Sequence, residues 1–133
     1  MILALDIDDT ITRDPPFYRV LANAVKSNNG KVLIVSSRNA CYETEVATRK
    51  ELSGYGIQYD ALHLLPSIEA ARGNCPHNEL DNYQKYIWQK VDYCLRNKVT
   101  HYFDDETKVI ELFLAYAPKI IVYQCWKSIK IDD

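Results

Sequence analysis

The chain has 133 residues, of which 47% are hydrophobic and 26% are charged, and this composition is typical of one globular domain rather than of a disordered chain or a coiled coil. The 16 lysine and arginine residues are outnumbered by 18 aspartate and glutamate residues, so the formal net charge is −2. This balance argues against a protein that coats nucleic acid or an anionic membrane, because such surfaces select for excess positive charge.

The N-terminus and the cysteines indicate a cytoplasmic protein. Asp6 and Asp8 interrupt the first apolar run too early for a signal peptide. The sequence contains no apolar stretch near the roughly 20 residues that a membrane span needs. The four cysteines form no C-x-x-C pair and have no spacing typical of a zinc site, which favours reduced thiols.

Short apolar runs alternate with helical patterns along the first half of the chain. β-branched residues, prolines and glycines mark where each element begins and ends. The predicted elements are a strand over 1–7, a helix that begins at Pro15 and is closed by Gly30, a strand over 31–36, a helix over about 41–52 and a strand over 59–65.

The second half repeats the alternation after an aperiodic segment. Residues 66–80 contain two prolines, one glycine and two asparagines, so they are predicted to form a loop. The elements predicted after this loop are a helix over about 82–96 with Asp81 as its N-cap, a strand over 99–103, a helix over 107–117 with Leu114 among its inward residues, and a strand over 119–123.

Apolar strands separated by helices predict a parallel sheet that is covered on both faces. The chain is therefore expected to form a single α/β domain over 1–133, a three-layer Rossmann-like fold with a five-stranded parallel sheet. Ligands of such sheets bind beyond the carboxyl ends of the strands. That rule selects residues 6–10, 36–38 and 104–105, which follow the first, second and fourth strands.

These strand ends carry up to five carboxylates, three hydroxyls and one guanidinium. Several acids in one crevice repel each other unless a cation lies among them, and oxygen ligands favour Mg²⁺. Arg38 and Ser36 would then suit an anion beside the metal. A carboxylate can attack phosphorus, and a second carboxylate two residues later can protonate the leaving oxygen.

Four motifs resemble those of the haloacid dehalogenase (HAD) superfamily. Residues 6–10, Asp-Ile-Asp-Asp-Thr, resemble its Asp-x-Asp-x-Thr motif, and Ser36 at the end of an apolar strand resembles its second motif. Lys85 stands 19 residues before Asp104, as the third-motif lysine would, and Asp104-Asp105 resembles the acidic fourth motif. The motifs occur in the family's order over residues 1 to about 123.

The resemblance implies a Mg²⁺-dependent phosphatase. Asp6 would be the nucleophile and a metal ligand, and Asp8 would be the general acid and base while ligating the metal through its carbonyl. Lys85 would neutralise the phosphoryl group and the nucleophile. Asp104 would complete the metal site, and Asp105 would hold Lys85 or a ligand water. The short interval between the first two motifs leaves no room for a cap domain.

The substrate-binding residues implied by the resemblance are Thr10, Ser36, Ser37 and Arg38. Thr10 would brace the first loop, Ser36 would bind the phosphoryl group and Arg38 would contact phosphate. The run Ser36-Ser37-Arg38, with Asp81-x-x-x-Lys85 and Asp104-Asp105-Glu106, resembles the phosphatase half of phage-type polynucleotide kinase–phosphatases. That likeness implies a nucleotide or a nucleic-acid end as the phosphorylated substrate.

Several alternatives stay open. The substrate can instead be a small metabolite such as a sugar phosphate, or the domain can be catalytically idle and bind a phosphorylated ligand or a partner. Lys90 lies on the same predicted helix as Lys85, but spacing favours Lys85 and assigns Lys90 to a solvated face. Arg13, Arg72 and Asp81 are further candidates for substrate contact, and residues 66–80 are a candidate lid.

Overall fold

A computed structural model describes residues 1–125, in which five strands alternate with helices. The strands are β1 (Ile2–Leu5), β2 (Lys31–Asn39), β3 (Ala61–Leu65), β4 (His101–Asp104) and β5 (Ile121–Gln124). The helices are α1 (Pro15–Ser27), α2 (Tyr42–Gly54), α3 (Ile68–Asn74), α4 (Asn82–Arg96) and α5 (Thr107–Tyr116), and a short 3₁₀ helix covers Ile11–Arg13.

The five strands form one parallel sheet in the order β3-β2-β1-β4-β5, which confirms the predicted fold class and the central place of β1. Leu5 at the end of β1 pairs with Ile34 in β2 and with Phe103 in β4. Because these residues are in register, Asp6 and Asp104 leave the sheet at the same level. The sheet order thus brings the ends of β1, β2 and β4 together.

Helices cover both faces of the sheet, which gives the three predicted layers and no large cap. Side chains alternate along β1, so Leu3 and Leu5 pack under α1 while Ala4 faces α4 and α5. The buried side chains on the first face include Tyr18, Ala22, Val25, Leu52 and Ile57, and those on the second include Ile87, Val91, Cys94, Val109 and Phe113.

The segment 66–80, predicted as a loop, contains helix α3. The Ser67 side chain caps this helix by accepting a hydrogen bond from the Ala70 amide at 3.3 Å, and Ala71 is buried against the core. Seven residues give too few turns for a clear apolar period, so cap and packing, rather than sequence periodicity, define the element.

On helix α5, one residue faces a different way from the prediction. Leu114 was predicted to face inward, but 60% of its surface is exposed, whereas Val109, Ile110 and Phe113 are buried. A helix that covers one edge of a sheet buries only a stripe of its surface, and Leu114 lies outside that stripe. Within residues 1–125, no helix combines the length and the apolar character needed to cross a membrane.

Candidate functional site

The loop after β1 presents Asp6 and Asp8 in different surroundings. Asp6 continues the sheet, since its amide donates to the Phe103 carbonyl at 3.0 Å, and its side chain is buried. The chain then turns, and the Thr10 amide donates to the Ile7 carbonyl at 3.1 Å. Asp8 lies on the outside of this turn with its side chain exposed. The turn therefore separates a buried carboxylate from an exposed one.

Asp9 has a φ of 60°, in the left-handed region where a Cβ atom is unfavourable. We therefore expect Asp9→Gly to be more stable than Asp9→Ala by about 1 kcal/mol, because the Cβ atom of alanine makes the left-handed backbone conformation unfavourable and glycine has no Cβ atom. Both variants remove the same exposed carboxylate, so their difference isolates the backbone. Urea unfolding measures it, and equal stabilities would show that Asp9 does not hold this conformation in solution.

Three carboxylates converge where β1 and β4 end. Asp6, Asp104 and Asp105 each offer an oxygen, and these oxygens all lie within 4.8 Å of one another. The Thr10 hydroxyl donates to Asp6 Oδ2 at 3.0 Å and reaches Asp105 Oδ1 at 3.5 Å, so this buried threonine braces the cluster. The hydroxyl is thus engaged by carboxylates rather than turned towards a substrate.

A backbone amide and a buried tyrosine help to fix the side chain of Asp104. Its Oδ1 accepts from the Glu106 amide at 2.9 Å, and its Oδ2 accepts from the hydroxyl of the fully buried Tyr102. Burial, together with the neighbouring Asp104 carboxylate, raises the pKa of Tyr102, so this hydroxyl keeps its proton and remains a donor. The position of Asp104 is therefore set by the fold.

The lysine among these carboxylates is Lys90, and the predicted choice of Lys85 is wrong. Lys90 Nζ lies 2.9 Å from Asp6 Oδ1 and 2.9 Å from Asp104 Oδ2. Only 2% of Lys90 is exposed, so its predicted solvated position is also wrong. Lys85 stands five residues earlier, roughly 140° around the helix. A small cavity opens over the three carboxylates, and of the two lysines Lys90 lines it and Lys85 does not.

The apolar stripe of α4 contains a sequence pattern that indicates a buried position for Lys90. Ile87, Val91 and Cys94 are fully buried on one face of the helix, and Lys90 follows Ile87 by three residues and precedes Cys94 by four. Residues at these spacings share a helix face. A lysine within the apolar stripe faces the sheet, where it needs an anionic partner.

The electrostatics of the cluster leave negative charge in excess. Burial raises the pKa of Asp6 to about 8, with Asp104 adding to the rise and Lys90 opposing it. Burial, followed by the Asp104 charge, also raises the pKa of Asp105. For Lys90, burial alone would lower the pKa, but Asp6 and Asp104 outweigh it and the pKa is raised. One ammonium therefore faces three carboxylates, and two negative charges remain uncompensated when all are ionised.

A small polar cavity of about 160 Å³ opens over this cluster. The residues that line it are Asp6, Asp8, Asp9, Ser37, Lys90, Asp104, Asp105 and Glu106. Ser37, two residues before the end of β2, is exposed, and its carbonyl accepts a hydrogen bond from the Tyr86 hydroxyl at 2.6 Å. Ser36 is fully buried, and its hydroxyl accepts from the Arg38 amide at 3.1 Å. Ser37 rather than Ser36 thus borders the cavity.

Arg38 contacts acidic side chains instead of an open phosphate position. Its guanidinium donates to both Asp8 oxygens, at 2.8 and 3.0 Å, and to Glu51 Oε1 at 2.9 Å. The Asp8 hydrogen bonds outweigh burial and raise the pKa of Arg38. The same hydrogen bonds hold the pKa of Asp8 below its usual value. Arg38 therefore fixes Asp8 in its ionised form.

Removal of this guanidinium is expected to raise the pKa of Asp8. In the wild type, the lowered folded-state pKa contributes stability that is present above the unfolded pKa of about 3.9 and is lost as the pH falls below it. Arg38→Ala should lose this contribution, which we expect to stay under about 1 kcal/mol because Asp8 is exposed. A ¹³C NMR titration of the Asp8 carboxyl measures the shift. Arg49→Ala, which breaks an ion pair with Glu45, is the matched control. An Asp8 pKa that is equal in both variants would contradict the pairing.

The remaining candidates lie outside the site cavity. Asp81 is an N-cap, as predicted: its carboxylate accepts from the Gln84 amide at 2.8 Å in a capping box. Arg72 is in the last turn of α3, and Arg13 borders a neighbouring cavity. Within the described chain, no residue of 66–80 lines the site cavity, so the structure shows no lid there.

Comparison with known proteins adds no assignment, since no protein-family model and no curated protein matches the chain.

Proposed function

We propose that the protein is a Mg²⁺-dependent phosphomonoester hydrolase that acts through an aspartyl-phosphate on Asp6. The observation that carries this proposal is the buried contact of Lys90 with Asp6 and Asp104 at the carboxyl ends of β1 and β4. A lysine that holds a buried carboxylate beside two further carboxylates suits a reaction in which an anion must approach an anion. The HAD-like order of motifs supports the same reaction.

The donor set fits a hard divalent cation. Asp6, Asp104 and Asp105 supply oxygen atoms within one small space, and their excess of two negative charges over Lys90 matches the charge of Mg²⁺. These three residues would hold the ion, with the Asp8 carbonyl as the further ligand implied by the family resemblance. Bound Mg²⁺ would neutralise charge that develops on the transferred phosphoryl oxygens.

In the first half-reaction, a carboxylate oxygen of Asp6 attacks the phosphorus atom and the bond to the leaving oxygen breaks. Lys90, with its pKa raised, stays protonated and offsets the charge of Asp6 and of the phosphoryl group. Asp8 donates a proton to the leaving oxygen, which departs as an alcohol. To carry that proton Asp8 must leave Arg38, and an incoming phosphate dianion competes with Asp8 for this guanidinium.

In the second half-reaction, Asp8 accepts a proton from a water molecule whose oxygen attacks the phosphorus atom of the aspartyl-phosphate. The bond between phosphorus and Asp6 breaks, inorganic phosphate leaves and the Asp6 carboxylate is restored. Asp8 thereby regains the proton it gave in the first step, so the cycle balances. Thr10 keeps Asp6 in place through both steps by its 3.0 Å hydrogen bond.

The Arg38–Asp8 ion pair is the observation that favours a catalytically idle domain. If Asp8 never leaves Arg38, the site can bind a phosphorylated ligand or a partner without turning it over. Among active enzymes, the substrate can be a nucleotide, a nucleic-acid end or a small metabolite such as a sugar phosphate.

Phosphate release measured with Mg²⁺ or with EDTA separates these functions. The panel contains an aryl phosphate, nucleoside monophosphates, sugar phosphates and oligonucleotides phosphorylated at the 3′ or the 5′ end. A phosphatase should release phosphate from at least one member with Mg²⁺ and lose that activity in EDTA. A folded protein that binds Mg²⁺ but hydrolyses no member would favour the idle domain.

A further inference from the structure

An aromatic cavity adjoins the carboxylate site on the α1 side of the sheet. It has a volume of about 390 Å³, and four of the residues that line it are aromatic: Phe17, Tyr18, Phe103 and Tyr123. The Phe103 and Tyr123 rings are stacked with centroids 4.7 Å apart, and Tyr18 meets Phe103 edge-on at 6.0 Å. Phe17 in turn meets Tyr18 edge-on at 5.0 Å. The rings therefore form one continuous aromatic wall.

Two rings of this wall are open to solvent. Phe17 is 49% exposed and Tyr123 is 45% exposed, whereas Tyr18 is buried beneath them. Phe17 lies in the first turn of α1 and Tyr123 in the edge strand β5, so two separate elements supply the exposed rings. Exposed aromatic rings that line a concave surface are a common feature of ligand sites.

Residues of the first loop connect this aromatic cavity to the carboxylate site. Asp9 lines both cavities, and Thr10, which lines the aromatic cavity, donates its hydroxyl to Asp6. Two other cavities of similar size, beside Tyr42 and beside His63, share no lining residue with the carboxylate site. Of these three cavities, the aromatic cavity is thus the one that shares a lining residue with the carboxylate site.

The volumes of the two cavities favour a ligand whose phosphate lies in one cavity and whose organic group lies in the other. The cavity over the carboxylates measures about 160 Å³, below the roughly 300–1,000 Å³ of sites that enclose a whole organic ligand. An organic group esterified to a phosphate in that cavity must therefore extend beyond it. The aromatic cavity is larger than the roughly 150 Å³ that suffices for benzene, so it has room for a planar ring and its linker.

We propose that the aromatic cavity binds the planar aromatic group of a phosphomonoester whose phosphate lies against Asp6 and Lys90. The inference rests on the proposed function and narrows its substrate class to phosphate esters that carry an aromatic ring. The ring stacks on Phe17 or Tyr123, because a stacked ring keeps its contact whatever its substituents. A nucleobase and a simple aryl group share this chemistry.

The test compares three phosphate esters across matched variants. Adenosine 5′-monophosphate carries a base, phenyl phosphate a simple ring and glycerol 2-phosphate no ring. Phe17→Ala and Tyr123→Ala should each raise KM about 5- to 20-fold for the ring-bearing esters that use the cavity and less than about twofold for glycerol 2-phosphate. Tyr123→Phe keeps the ring, so its KM for the ring-bearing esters should lie below that of Tyr123→Ala. Tyr42→Ala, which removes an exposed ring from α2, should leave all three KM values unchanged.

The three esters also distinguish a nucleobase from a simple aryl group as the ring that binds in the cavity. A response confined to adenosine 5′-monophosphate supports the proposal with a nucleobase as the bound group, and a response shared with phenyl phosphate supports it with any planar ring. If Phe17→Ala and Tyr123→Ala raise KM equally for all three esters, or for none, the proposed aromatic site is wrong. The proposed phosphatase activity is not contradicted by that result. Far-ultraviolet circular dichroism and urea unfolding establish that each variant is folded.

A binding measurement separates failure of the cavity from failure of the proposed function. Adenosine lacks a phosphate, and its binding to wild type, Phe17→Ala and Tyr42→Ala can be followed by NMR chemical shifts. Suppose that no ester is hydrolysed, and that adenosine binds to the wild type and to Tyr42→Ala but not to Phe17→Ala. This result would support the aromatic binding site and contradict the proposed phosphatase activity. If adenosine binds to none of them and no ester is hydrolysed, both inferences fail.

Discussion

Replacement of Asp6 by asparagine is expected to lower the rate of Mg²⁺-dependent phosphate release by a factor of at least about 10³. The amide that replaces the carboxylate cannot form the acyl-phosphate, so the loss should appear in kcat for every ester. Asparagine has nearly the shape of aspartate and can still accept from Lys90 Nζ, which now lies 2.9 Å from Asp6 Oδ1. We therefore expect the variant to fold.

Metal binding gives a second readout of the same substitution. A ligand that binds only the folded state at 100 times its dissociation constant stabilises that state by about 2.7 kcal/mol. Mg²⁺ should therefore raise the Tm of the wild type and raise that of Asp6→Asn much less, because one of the three carboxylates is gone. Asp81→Asn is the matched control, since asparagine caps a helix as well as aspartate does and Asp81 lies outside the cavity. Undiminished turnover by Asp6→Asn would exclude Asp6 as the nucleophile.

The sheet and the carboxylate cluster could be predicted from local sequence because both depend on where strands end. Parallel strands all point their carboxyl ends to one edge, so the acidic residues after β1 and β4 had to meet once the order placed β1 beside β4. Asp6 and Asp104 lie together for this reason. Asp105 joins them because it directly follows Asp104.

The errors arise where position depends on tertiary packing. Residue counts between motifs place the lysine on α4 and favour Lys85, but they do not define which side of that helix faces the sheet. The buried stripe that contains Ile87 and Val91 determines that side. The Arg38–Asp8 ion pair joins residues 30 positions apart in the sequence, so no local sequence pattern predicts it. The aromatic cavity likewise joins α1 to β5.

Arg38 illustrates how a site residue can have a second role. The sequence assigns this guanidinium to phosphate, and the structure gives it two acidic partners, Asp8 and Glu51. The two assignments agree if Arg38 exchanges Asp8 for substrate phosphate while Glu51 continues to hold its other nitrogen. Such an exchange would free the acid only when an ester is bound, which links Asp8 protonation to substrate binding.

Lys90→Met should have the largest effect on stability, a loss of about 3–5 kcal/mol in the free energy of unfolding at neutral pH without metal. Methionine retains most of the buried volume of lysine but removes the only ammonium within hydrogen-bonding distance of Asp6 and Asp104 among the described residues. The buried Asp6 and Asp104 carboxyl groups would then lose their counter-charge. Urea unfolding measures the loss, and phosphate release should fall with it.

Lys85→Met is the matched control, since it makes the same chemical change one and a half turns earlier on the same helix. Lys85 is half-buried near Glu79 and does not border the cavity, so its replacement should change the unfolding free energy by less than about 0.5 kcal/mol. Equal losses for the two variants would contradict the position of Lys90 within the carboxylate cluster.

The pH dependence of Lys90→Met gives a further check with a definite sign. Without the ammonium, the pKa of the Asp6 carboxyl in the folded state should rise further above its unfolded value, so the folded state binds more protons than the unfolded state. The bound proton therefore stabilises the folded state. Stability falls as the pH rises from the unfolded-state pKa of Asp6 towards its folded-state pKa, because unfolding releases this proton. Because the pKa of Asp6 is already about 8 with Lys90 present, Lys90→Met and Lys85→Met should diverge mainly above that pH. The deficit of Lys90→Met relative to Lys85→Met should therefore be smaller at pH 7 than at pH 9, whereas a deficit caused only by lost packing would be the same at both.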